Sequence, residues 1–171
     1  MSRAYLVCGS PGAGKTTYGK KLSQEKQAVF LDIDIATERL VRLALSLSGQ
    51  NADDRDSPYF KKHFRTPVYE QLFDIARDNL PLRSVVIAAP FTKEIKNRDW
   101  PKELTARLGV PVEVHYVFCP SQIRKERMIK RAHSRDEGKL RDWEKYLQYY
   151  EDEPAPACKH FPVDNSADLD V

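Results

Sequence analysis

The stretch Cys8 to Lys20, CGSPGAGKTTYGK, decides how the rest of the chain is read. Its middle, GSPGAGKT from Gly9 to Thr16, fits the pattern G-x-x-x-x-G-K-[ST] at every fixed position. On one side lies a short apolar run, AYLVC (Ala4 to Cys8), which reads as a buried strand. On the other side Lys15 to Gln24 reads as a helix. A glycine-rich turn in that setting cradles phosphate. Gly9 and Gly14 let the backbone turn and approach the oxygens closely. The N–H groups along Ser10, Gly12 and Ala13 then line the loop, with Pro11 shaping it, and meet the positive end of the helix dipole. Lys15 is expected to reach the β- and γ-phosphates, and Thr16 to place its hydroxyl on Mg²⁺, with Thr17 next in the same nucleotide site. The ligand this implies is ATP with Mg²⁺.

Outward from the loop, strand-like and helix-like segments alternate. AVFLDID (Ala28 to Asp34), SVVIAAP (Ser84 to Pro90) and VEVHYVFC (Val112 to Cys119) read as further strands, with a short fifth near Phe161 to Asp164. Between them, Thr37 to Leu47 has apolar residues at helical spacing (Leu40, Val41, Leu43, Ala44, Leu47). Ser48 to Pro58 is polar, acidic and turn-rich, hence a loop. Pro58 to about Asn79 is helical with Pro67 interrupting it, and Arg98 to Leu108 is a helix stopped by Gly109 and Pro111. Ser121 opens another helix, and Leu140 to Tyr150 a Trp/Tyr-rich one. Strand, helix, strand, repeated, predicts an α/β fold, a five-stranded parallel sheet with helices on both faces, in one domain over residues 1–171.

The composition narrows the function classes. The chain has 171 residues, with 28 Lys+Arg against 25 Asp+Glu and a net charge of +3, too small a surplus to argue for nucleic acid. The longest apolar run, Val85 to Ala89, is far short of a membrane span, and the N-terminal run is too short for a signal peptide. The three cysteines, Cys8, Cys119 and Cys158, lack metal-site spacing and cannot all pair. Reduced thiols in a cytoplasmic protein are expected.

In open parallel sheets, ligands bind beyond the carboxyl ends of the strands. FLDID therefore sets Asp32 and Asp34 at the mouth of the same cleft as Lys15. Residues two apart on a strand share a face, so both carboxylates are expected to look at one substrate. One would serve Mg²⁺, and the other would accept a hydroxyl proton and position the acceptor. The alternative is that one acid merely caps the following helix.

The loop together with FLDIDIATERL resembles the small-metabolite P-loop kinases such as shikimate and gluconate kinases. GSPGAGKTTYGKKL equally resembles the small kinases grouped with the kinase domain of polynucleotide kinase and with zeta toxins. The resemblance implies a three-layer P-loop NTPase with a small lid. In those families the first acid serves Mg²⁺ and the second the acceptor hydroxyl, so it makes Asp32 the metal partner and Asp34 the base. SQIRKERMIKRAHSRDEGK resembles the lid edge of the same kinases. It implies that Arg127 packs on the adenine and Arg131 reaches the transferring phosphate, with the lid over residues 131–140. Arginine suits both roles, since its plane stacks on rings and its fork meets phosphate oxygens. Arg135 is a further phosphate ligand on that lid. The plainer reading is a solvated charged helix whose arginines pair with Glu126, Asp136 and Glu137.

The third strand ends in Ala88, Ala89 and Pro90, where many such enzymes have an acid, so either Asp32 takes over the metal role or metal binding is weak. The helical insert over residues 48–80 is expected to carry the acceptor pocket, with Arg65 as its first candidate and Tyr69 and His63 behind it. The glycines and spacing expected for shikimate are absent. Trp143, Tyr146, Tyr149 and Tyr150 form a stripe that is read as packing rather than a platform for bases. The function expected is transfer of the γ-phosphoryl of MgATP to a hydroxyl of a small molecule, with Lys15, Asp34 and Arg131 as the catalytic set. The alternatives are a nucleotide-dependent ATPase or binding module without an acceptor, and a polynucleotide 5′-kinase.

Overall fold

Along the first strand Ala4, Leu6 and Cys8 alternate with Tyr5 and Val7, and the two sets go to opposite faces of the sheet. The computed structural model, which describes residues 1–150 and 155–167, shows both faces covered. Five strands, β1 (Ala4–Cys8), β2 (Val29–Asp32), β3 (Val85–Ala88), β4 (Val112–Phe118) and β5 (Phe161–Asp164), form one sheet in the order β2-β3-β1-β4-β5. Every pairing is parallel. The chain winds to one side of β1 for β2 and β3, then to the other for β4 and β5. The carboxyl end of β1 therefore opens into the crevice where such sheets bind ligands.

The helices are α1 (Lys15–Glu25), α2 (Ile33–Leu47), α3 (Pro58–His63), α4 (Arg65–Asn79), α5 (Trp100–Leu108), α6 (Ser121–Arg131), α7 (Glu137–Arg141) and α8 (Trp143–Tyr150). One core joins β1, β3 and β4 to α2, α4 and α5 through Val41, Leu45, Leu72, Phe73, Trp100 and Leu104. The other lies under α1 and contains Tyr5, Val7, Leu22, Val86 and Val117.

Four local readings change. The second strand stops at Asp32 rather than Asp34, because the Asp32 carboxylate accepts from the N–H groups of Asp34 and Ile35 and starts α2 there. Helix α2 buries Ile33, Thr37, Val41 and Leu45, whereas Leu40 and Leu47 are 74% and 80% exposed. The helical stretch after Pro58 breaks at Phe64, not at Pro67. A proline is tolerated in a first turn, and its ring excludes a helical carbonyl four residues back at His63, so α4 starts at Arg65 with Pro67 in its first turn. The last helix is divided at Asp142 into α7 and α8. In the aromatic stripe Tyr146 is buried and stacks on Trp143 at 5.0 Å, as packing requires, while the Tyr149 and Tyr150 side chains lie outside the described residues.

Two polar contacts pin the helices that flank the crevice. On α1, Tyr18 meets Nδ1 of the buried His115 at 2.8 Å, and Glu113 approaches its Nε2 at 3.3 Å. Burial lowers the His115 pKa below its ordinary 6.5, against the opposite pull of Glu113. The folded state therefore holds this proton less well than the unfolded chain, and the stabilisation is lost as pH falls from about 6.5 toward the lowered value. Thermal melts between pH 7.5 and 5 are expected to show that decline, and His115→Gln to flatten it. At the other side, the phenol of Tyr69 on α4 accepts the N–H of Phe91, a buried residue held at a φ of 50°. Burial pushes the Tyr69 pKa up to about 12, so the phenol stays neutral. Tyr69→Phe leaves that N–H unpaired and is expected to cost about 1–2 kcal/mol, read from the urea midpoint.

Candidate active site

The loop after β1 takes the shape its glycines allow. Gly9 sits at a φ of 141°, and a Cβ there would collide with the backbone carbonyl of Val117. Gly14 caps α1 at a φ of 95°, against the side-chain amide of Asn165. That amide also donates to the Ala13 carbonyl at 2.8 Å, which ties the loop to the residue following β5. The ammonium of Lys15 donates to Ser10 O at 2.9 Å and so stays over its own loop. Helix α1 then runs away from the crevice with its N-terminus at the loop.

The loop forms one wall of a cleft of about 680 Å³. Of the residues singled out in the sequence, Pro11, Gly12, Gly14, Lys15, Thr16, Thr17, Asp32, Asp34, Arg65, Arg127, Arg131 and Arg135 all line it. Gly9, Ser10 and Ala13 do not. They are buried and support the loop from behind.

The two acids do not share a strand face as the sequence suggests. Asp32 is the N-cap of α2, and its second oxygen accepts the Thr16 hydroxyl at 2.7 Å. Asp34 lies in the first turn of the helix, where its carboxylate faces Arg55 at 2.9 Å and Arg135 at 2.8 Å. Both acids still open onto the cleft, reached through a helix start rather than a strand end. The capping role weighed for one of the two acids belongs to Asp32. Among the described residues, no group of three or more His, Cys, Asp or Glu can hold a metal ion. The Thr16–Asp32 pair fits Mg²⁺ of another kind, one carried in on phosphates and steadied by a hydroxyl and one carboxylate.

The arginines are all engaged. Arg131 forms a fork with the buried Asp136, at 2.6 and 2.9 Å, as the plainer reading allows. Arg127 donates to the carbonyls of Asn165 and Ala167, so one edge of its guanidinium is fixed beside Gly14. Arg65 meets Glu94 in a second fork, at 2.8 and 2.7 Å, and lies 4.5 Å from the Tyr69 ring centre. His63 is exposed, stacks on Tyr59 and does not reach the cleft. Only the first two turns of α4 line the cleft, through Arg65, Val68 and Tyr69, because Leu72, Phe73 and Ala76 belong to the core. Less of the 48–80 segment is pocket than the sequence suggests.

Three contributors escape the sequence reading. Arg55, the lone cation in the acidic DDRDSP loop, bridges Asp34 and Thr37. Glu94 orients Arg65, and Asn165 braces the phosphate loop. Of these only Arg55 carries a local signal, an isolated base among acids. The thiols are free, and burial raises the pKa of Cys119 and Cys158, which keeps both protonated near neutral pH. No helix among the described residues is long and apolar enough to cross a membrane.

The family model of the AAA domain, AAA_33, matches residues 5–153. A shikimate kinase of Bacillus cytotoxicus is 29% identical over 132 residues, spanning 74% of this chain and 66% of that protein, just under two thirds of its length. A sugar kinase from Janibacter sp. HTCC2649 superposes with a TM-score of 0.61 at 18% identity, over 96% of this chain and 86% of that one. A gluconokinase from Sinorhizobium meliloti 1021 does so with a TM-score of 0.56 at 19% identity, over 97% and 84%. At such identities the two structures speak for the fold.

Proposed function

The chain belongs to the AAA domain family AAA_33, and on that premise we propose that it is a kinase moving the γ-phosphoryl of MgATP to a hydroxyl of a small molecule. The observation that carries this reading is one cleft holding Lys15, the Thr16–Asp32 pair and Asp34 together. The names of the relatives, a shikimate kinase, a sugar kinase and a gluconokinase, support small-molecule acceptors.

The loop's N–H groups and Lys15 bind the triphosphate and neutralise charge spreading over the γ-phosphoryl. Thr16 and Asp32 would hold Mg²⁺, and the ion would supply electrostatic neutralisation of the phosphates. Asp34 aligns the acceptor hydroxyl and takes its proton as the new O–P bond forms and the bond from the γ-phosphorus to the bridging oxygen breaks, releasing ADP. Arg131 adds its charge at the transferring group, and Arg127 flanks the adenine. Arg65, oriented by Glu94, contacts the acceptor. Residues 131–140 act as the lid and exclude water, which limits wasteful hydrolysis.

The test is ATP consumption measured against panels of hydroxylated metabolites, nucleosides and 5′-hydroxyl oligonucleotides. A metabolite that stimulates turnover is the expected result. Stimulation by oligonucleotides alone, or hydrolysis that no acceptor changes, would overturn the small-molecule reading.

A further inference from the structure

Asp34, the proposed base, is gripped by two arginines on different oxygens. Arg55 Nη1 donates to Oδ1 at 2.9 Å, whereas Arg135 Nη1 sits 2.8 Å from Oδ2. The two partners are not equally committed. Arg55 has a second bond, from Nη2 to the Thr37 hydroxyl at 3.0 Å, and lies over the Phe60 ring at 5.4 Å. Its loop is fixed in turn, with Asp54 accepting from the N–H groups of Asp56 and Ser57. The backbone at Arg135 is held, with its carbonyl accepting from Lys139 at 3.2 Å, but among the described residues its guanidinium has no anchor of that kind. Its buried Nη1 contacts Oδ2 without the angle of a hydrogen bond, and Glu38 stands farther off at 3.6 Å. It belongs to a single turn of 3₁₀ helix, Ser134–Asp136, beyond a left-handed Ala132 that ends α6. The same cleft contains the phosphate loop.

Resting on the kinase reading, we infer that Arg135 is an exchangeable mask on the base. It covers Oδ2 of Asp34 before nucleotide binds and leaves for the nucleotide phosphates when they arrive. Arg55 is the fixed positioning residue that holds Oδ1 throughout. With Arg55 on Oδ1 and Arg135 on Oδ2, the carboxylate is a weaker and less accessible proton acceptor, so base and nucleotide become available together. Nucleotide must compete with Asp34 for Arg135, and binding is weaker for it.

That competition is measurable by calorimetry with MgAMP-PNP, without any acceptor. Asp34→Asn should tighten binding about fivefold, the scale of a half-exposed ion pair. In an Arg135→Gln background the same substitution should change affinity less than twofold, because there is no mask left to release. If the gain reflected only the removal of a negative charge from the cleft, it would persist in that background and overturn the inference. Arg135→Met, which removes the charge and keeps the length of the side chain, replaces Arg135→Gln if the latter does not fold. The parallel cycle with Arg55→Gln should leave the fivefold gain intact. Losing it there would overturn the division of labour between the two arginines. Wild type that takes no MgAMP-PNP would sink the kinase reading along with this one. Wild-type binding with no gain for Asp34→Asn would sink the mask alone.

Discussion

Lys15→Ala is expected to abolish the thermal stabilisation that MgATP gives the wild-type protein. A ligand at about 100 times its dissociation constant stabilises a fold by about 2.7 kcal/mol. For a chain of this length that corresponds to a rise of about 5–10 °C in melting temperature. The variant should melt near the wild-type temperature without nucleotide, because Lys15 lines the cleft rather than the core. With nucleotide, its shift should be below about 1 °C. The loss is that large because the ammonium faces charge gathered on the β- and γ-phosphates in a cleft walled by protein, where such interactions are strong. A variant whose shift equals that of the wild type would remove the loop from the nucleotide site.

Asp34→Asn is expected to separate binding from transfer. The amide keeps the shape of the side chain and cannot take a proton, so transfer to the acceptor found in the panel should fall about 10²- to 10⁴-fold. Nucleotide binding should survive, since Thr16, Asp32 and the loop are untouched. Single-turnover transfer from radiolabelled ATP reads the first effect and melting with MgATP the second. A rate within tenfold of wild type would remove Asp34 as the base. Loss of both activities would make it a structural residue.

The sequence reveals the phosphate loop fully, because its function depends on backbone conformation and adjacent residues alone. Gly9, Gly14, Lys15 and Thr16 fall within one short stretch. Strand β1 is equally legible, since a run buried on both faces is apolar throughout. The end of β2 is not. Ile33 and Ile35 continue the alternation of a strand, and only the capping bonds of Asp32 show that the chain has turned into helix. Helix α2 misleads in another way. Its leucines suggest the inner face, yet Thr37 is buried in their place with its hydroxyl satisfied by the Ile33 carbonyl. The Arg131–Asp136 pair is local and legible, but two other ion pairs of the cleft are beyond local reading. Arg65 and Glu94 are 29 residues apart, and Arg55 and Asp34 are 21 apart, so topology alone brings them together.

The bond from Asn165 to the Ala13 carbonyl spans 152 residues and joins the first functional loop to the last strand. A chain emerging from the ribosome makes its glycine-rich turn well before the brace behind it. Until β5 has docked beside β4, that carbonyl lacks its side-chain donor and Gly14 lacks the wall it packs against. Nucleotide affinity is therefore expected to depend on whether β5 has docked beside β4, a strand far along the chain from the loop it braces.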